Sequence, residues 1–182
     1  MRGLRPESTI KDGQVAHHGG FIMLRKQILP RPPVESASID VGIPVAEVAT
    51  VQVTSEQGNH PIDNVFDNRQ GPGGSRWIAD GPGEQTLILV FDSPQTIRKV
   101  SLEVEELWVS RTQELSVSVS SDGARTYREL VRQEFTFSPP STSFEREVWS
   151  VAAEGVTHLR IDIKPDKGGR VAQATLTSLS IG

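Results

Sequence analysis

The chain has 182 residues, 36% hydrophobic and 23% charged, with a formal net charge of −4 and no cysteine. That length accommodates one domain with an appendage, built around a single sizeable core. The absence of cysteine excludes a disulfide framework and any thiolate metal site, and the acidic balance argues against nucleic acid or an anionic membrane as partner.

Residues 1–40 are rich in Gly, Pro and charge, lack hydrophobic periodicity, and contain Pro30, Pro32 and Pro33, which cannot join a sheet. They read as a flexible tail and linker. Phe21 to Leu24 is too short for the apolar region of a signal peptide, and no run approaches the length of a membrane span. No membrane insertion is therefore expected and, with no cysteine, the expected location is cytoplasmic. His17-His18 has no third ligand at a recognisable spacing and reads as solvated tail rather than as a metal site.

From Glu47 onward, short alternating runs are separated by turns, the pattern of an all-β antiparallel sandwich. Ala49 to Val53 opens it. A short helical turn is expected at Pro61–Phe66, where Ile62, Val65 and Phe66 fall at helical spacing behind a proline. Gln85–Phe91 is apolar on both faces and predicts a central strand; Ile97, Val100, Leu102 and Val104 predict the next, with a bulge near Arg98-Lys99. Leu115, Val117 and Val119 alternate with Ser116 and Ser118, which predicts a strand with one buried face. Val131, Phe135 and Phe137 follow, then strands at 144–151, 158–163 and 174–181. Trp77 and Trp149 sit in strand contexts and are expected in the core.

Ser121-Asp122-Gly123 ends an alternating strand with turn chemistry, Asp bonding its own backbone and Gly accepting positive φ, and Tyr127 and Leu130 then return toward the core. Upstream, Thr54-Ser55, the turn at Pro61–Phe66, Asp67-Asn68, Ser75 and Trp77 follow one another in order. This sequence of features, over residues 45–182, resembles the discoidin (coagulation factor 5/8 type C) domain, a galactose-binding-like jelly roll similar to carbohydrate-binding modules. The resemblance implies an antiparallel jelly-roll β-sandwich that binds ligand at its loop end. It also implies a candidate structural calcium, with Asp67 and Ser75 as oxygen donors. Two departures bear on that ion: the loop is expanded by residues 69–74, and Ser178 stands where carbohydrate-binding relatives often place a glutamate. Calcium wants six to eight oxygens, carboxylates among them, so Asp67 tying its own loop by backbone hydrogen bonds is the competing reading.

Trp108 lies in a strand connection, either as a stacking platform for a sugar or as a lid folded over the sandwich end. Residues 164–170 place Lys164, Lys167 and Arg170 around a glycine pair, a pattern that suits either anion capture or a solvated hairpin tip. No phosphate loop, nucleophile elbow or zinc-protease motif is present, and Glu105 and Glu106, being adjacent, point apart on a strand. The sequence thus predicts a non-catalytic module binding carbohydrate or a related polar ligand through His60, Arg69, Trp108, Arg111, Lys167 and Arg170. The alternative is an intracellular protein-interaction or scaffolding domain of the same fold.

Overall fold

The computed structural model describes residues 42–182; the tail and linker expected over 1–40, with His17-His18, lie outside the described residues. A four-residue helix α1 (Val45–Val48), which the sequence did not suggest, leads into β1 (Ala49–Val53). The turn after Pro61 is a 3-10 helix, Ile62–Val65. The strands that follow are β2 (Trp77–Pro82), β3 (Gln85–Glu105), β4 (Arg111–Ser120), β5 (Arg128–Phe137), β6 (Phe144–Lys164), β7 (Gln173–Leu176) and β8 (Ser178–Ile181). All paired strands are antiparallel. Among the described residues, no helix is long and apolar enough to cross a membrane.

Two strands are longer than the sequence suggested. The segments expected at 85–91 and 97–104 are halves of one strand, β3, and those at 144–151 and 158–163 are halves of β6. Register shifts at Val90/Gln95, Gln95/Ile97 and Ile97/Lys99, the last at the expected bulge, let the β3–β6 pair turn a corner without separating. Gly155, at φ 64, supplies the left-handed residue this corner needs on β6. The first half of β3 pairs with β1 and with the second half of β6; its second half pairs with the first half of β6 and with β8. One sheet consequently runs β1-β3-β6-β4-β5, and β2 pairs with β7. The expected closing strand at 174–181 is divided at Thr177 into β7 and β8.

Alternation places Leu87, Leu89, Phe91, Leu115, Val117, Val119, Leu159, Ile161 and Ile163 inward against Trp77, Ala79, Val100, Leu102 and Val104. Trp77 is completely buried, with its indole Nε1 donating to Ser55 O at 3.0 Å; Trp149 packs at the margin of the core. One expectation fails: β4 does not have a single buried face, because Ser116, Ser118 and Ser120 are buried too, overshadowed by longer side chains on neighbouring strands. The Ser121-Asp122-Gly123 turn opens a longer connection. Asp122 accepts from Ser120 Oγ (2.7 Å), the amides of Arg125 (3.1 Å) and Thr126 (3.0 Å), and Thr126 Oγ1 (2.6 Å). These donors, those of Thr126 foremost, hold its carboxyl far below its ordinary pKa.

Candidate functional site

At the end of the sandwich, the connections between β3 and β4 and between β6 and β7 enclose a cavity of about 390 Å³. Its lower wall comes from β2 and β7 (Ile78, Pro82, Gln173, Thr175), and its rim from Trp108, Val109, Val171 and Ala172. Trp108 is 75% exposed and Val171 89%, so the rim is apolar and open to solvent. Trp108 is a wall and not a folded-back lid.

Local chemistry fixes the tryptophan. Glu106 Oε1 accepts from the amides of Trp108 (3.0 Å) and Val109 (3.1 Å), closing the chain into a tight turn just past β3. The Arg76 guanidinium lies 5.7 Å from the indole centroid, and it is held by Glu105, through Oε2 at 2.6 Å and the carbonyl at 3.3 Å. One side of the ring is thus braced by a cation, an arrangement that orders the indole as well as attracting it. Glu105 and Glu106 do point apart, as adjacent residues should, and each meets a different arginine. Arg111 Nη2 lies 2.8 Å from Glu106 Oε2, while its Nη1 donates to Pro165 O (3.0 Å) and Gln173 O (2.6 Å). Burial pushes the Arg111 guanidinium below its ordinary pKa, and Glu106 pulls it back up.

The residues expected to bind ligand are not gathered in one place. Trp108 and Arg111 line the cavity, but Arg111 is a buried strut that ties the Glu106 carboxylate to the backbone carbonyls of Pro165 and Gln173. His60 sits in the turn that packs on β2, its carbonyl accepting from Ile78 N at 3.2 Å, and is not in the wall. Arg69 is exposed and stands 3.9 Å from Asp67. The 164–170 cations are dispersed: Lys167 pairs with Glu134 and with Glu114 (3.5 Å), and Arg170 Nη1 donates to Ser110 O at 2.8 Å beside the rim. Asp166 organises this loop by accepting from the amides of Arg170 (2.8 Å) and Thr112 (3.3 Å), which holds its carboxyl below its usual pKa, so the loop is not an open anion cradle. Arg76, Glu105, Glu106, Val171, Gln173 and Thr175 complete the site, and no local motif marked them.

Asp67 and Ser75 do meet, the serine hydroxyl donating to Asp67 Oδ2, while Oδ1 accepts from Arg69 N at 2.9 Å. The expanded loop is clasped from beneath: Gly71 N donates to Glu103 Oε2 (2.7 Å) and Gly73 N to Glu105 Oε1 (2.9 Å). Arg146 Nε lies 3.4 Å from the other Glu103 oxygen, an electrostatic contact and not a hydrogen bond. The loop therefore presents amide hydrogens to carboxylates, where a calcium site would present oxygens to the ion. Among the described residues no group of three acidic or histidine side chains is placed to hold a metal.

No protein-family model matches the sequence, and no curated protein is similar enough to match it. Among solved structures, the chain is similar to the CBM32 of AlyQ in complex with 4,5-unsaturated mannuronic acid, at 22% identity and a TM-score of 0.53 over 74% of this chain and 95% of that one. It is also similar to the family 32 CBM of NanJ from C. perfringens in complex with galactose, at 14% identity and a TM-score of 0.54 over 77% and 96%. A third is the chitosan-binding module 1 of a chitosanase/glucanase from Paenibacillus sp. IK-5, at 17% identity and a TM-score of 0.52 over 76% and 97%. The likeness is one of fold, an all-β sandwich of the galactose-binding-like type.

Proposed function

We propose that this chain is a non-catalytic carbohydrate-binding module of the discoidin-like kind, with its ligand seated in the loop-end cavity against Trp108. The observation that carries this reading is an ordered indole, 75% exposed, standing over a concavity of about 390 Å³. An exposed aromatic costs solubility and serves no core, so its bracing by Arg76 and Glu106 makes sense as preparation of a stacking surface. The fold is shared with modules solved with galactose or with an unsaturated uronic acid, which supports the ligand class. The loop over residues 69–74 is tied to Glu103 and Glu105 through the amides of Gly71 and Gly73.

A protein-interaction role is the second reading, and one observation favours it: Leu107, Trp108, Val109 and Val171 form an exposed apolar rim, while the polar side chains beneath are engaged with one another. A broad glycan array compared with a pull-down, both repeated with Trp108→Ala, separates the two. Glycan hits that weaken roughly tenfold or more in the variant, about 1.4 kcal/mol or more, support the module. Protein partners with no glycan hit retire the sugar reading.

A further inference from the structure

The solvent face of the β1-β3-β6-β4-β5 sheet carries a second concavity, about 450 Å³ in volume, that shares no residue with the loop-end cavity. Strand register explains it. Thr86 stands opposite Asp162, Asp162 opposite Ser116, and Ser116 opposite Arg132. Thr54 extends the row, its hydroxyl donating to Thr86 O at 2.9 Å and accepting from Thr86 N at 2.8 Å. The row crosses the sheet perpendicular to its strands, a span of about 19 Å at roughly 4.8 Å per strand. Its middle members are short, while the rows on either side carry Arg160 toward one side and Lys164 and Glu114 toward the other. A trough results, and Ser116 lies in its floor, only 5% exposed although it faces outward.

The walls are stiff. Asp162 Oδ1 accepts from Thr86 Oγ1 (2.7 Å) and from Arg160 Nε (3.0 Å) and Nη2 (2.8 Å), and Arg132 bonds Glu114 at 2.7 Å. The loop-end cavity has its polar side chains paired with one another, but here several are not. Among the described residues, no hydrogen bond or ion pair engages Ser116 Oγ, Asp162 Oδ2, the Glu84 carboxylate or the Lys164 ammonium. Together they offer an acceptor, a donor and a hydroxyl able to be either, which is the complement of adjacent sugar hydroxyls. The charges balance, with Arg132, Arg160 and Lys164 against Glu84, Glu114 and Asp162. A polymer of strong net charge gains nothing from such a surface. A polypeptide strand docks at a sheet edge, where backbone groups are free, and not across a sheet face.

We propose that this trough is a second binding site, for an extended neutral oligosaccharide lying across the strands. It is tested on the full chain by amide-resolved NMR titration with four ladders from di- to hexasaccharide: β-1,4-glucan, β-1,4-mannan, α-1,4-glucan and fully N-acetylated chito-oligosaccharides. The expected result is that at least one ladder shifts the amides of residues 84–88, 114–118 and 160–164 saturably, with affinity rising at least about tenfold along it as more contacts engage together. Ser116→Gln fills the floor and Lys164→Ala removes a donor; each should weaken that binding roughly tenfold, about 1.4 kcal/mol, while Trp108→Ala leaves it unchanged. If Ser116→Gln fails to fold, Lys164→Ala decides. No shift at these amides with any hexasaccharide, or shifts indifferent to chain length and to Lys164→Ala, overturns the proposal and leaves the Trp108 site untouched.

Discussion

Arg111 offers the sharpest contrast between a ligand-contacting role and a structural one. Its side chain is 2% exposed, and three groups depend on it: the Glu106 carboxylate and the carbonyls of Pro165 and Gln173. Arg111→Ala leaves a buried carboxylate without its cation, a change that costs about 3–5 kcal/mol. Two carbonyls also lose their donor, at about 1–3 kcal/mol each if they stay dry. The cavity lets water reach part of the gap, so the expected total stays near the first figure, about 3–5 kcal/mol. With a urea m-value of about 2 kcal/mol/M, the unfolding midpoint should fall by roughly 1.5–2.5 M. Arg111→Lys should lie between wild type and Ala, since one ammonium cannot reach all three acceptors in the planar geometry the guanidinium provides. Arg111→Met combined with Glu106→Gln should recover at least about half of the loss, because no unpaired charge remains and Glu106 Oε1 still has its amide donors. A midpoint within about 0.3 M of wild type, with ligand affinity abolished, would refute the strut and return Arg111 to the ligand.

Three further outcomes follow from the same structure. Trp108→Ala should unfold within about 0.5 kcal/mol of wild type in urea, because an exposed side chain leaves no cavity behind; a larger loss would mean the indole is structural. Chelation with EDTA should leave the thermal midpoint unchanged, whereas Glu103→Gln should lower it and speed hydrogen exchange at Gly71 N; a midpoint that falls on chelation would show that a metal holds the loop. Asp122 is an acid whose folded pKa lies far below its ordinary value of 3.8, so the stability it supplies is complete above that value and is lost as pH falls toward the folded one. Asp122→Asn should therefore narrow its stability gap to wild type as pH drops from 5 to 2, and a gap constant across that range would contradict the capping role.

Much of the fold was legible because strand alternation is a local signal. The runs at 49–53, 85–91, 115–119 and 159–163 all fall within observed strands, and the bulge at Arg98-Lys99 marks a real register shift. What local pattern could not reveal was continuity: a corner in β3 and one in β6 look like loops in sequence, because the residues there alternate with neither face. The buried serines of β4 escaped for a related reason, since their neighbours across the sheet lie on other strands: Arg132 and Asp162 beside Ser116, Arg160 beside Ser118 and His158 beside Ser120. In the site, Trp108 was readable as an aromatic in a strand connection. Arg76, Glu105 and Glu106 were not, because each takes meaning only from a partner elsewhere: Arg76 and Glu105 are 29 positions apart, and Arg111 meets Gln173 across 62. The 164–170 loop misled in the opposite direction: its cations are close in sequence, but Lys167 turns to Glu134 and Glu114 while Arg170 bonds the carbonyl of Ser110.

The chain has three tryptophans, and their indole Nε1–H groups give three NMR signals in separate environments: Trp77 bonded to Ser55 O in the core, Trp149 at its margin, and Trp108 at the cavity rim. Titrating the labelled protein with the glycan that an array ranks first reports directly on whether ligand seats against Trp108. The Trp108 signal should move saturably while those of Trp77 and Trp149 hold still. Saturable glycan binding that leaves both the Trp108 signal and the trough amides of residues 84–88, 114–118 and 160–164 in place would contradict that seating.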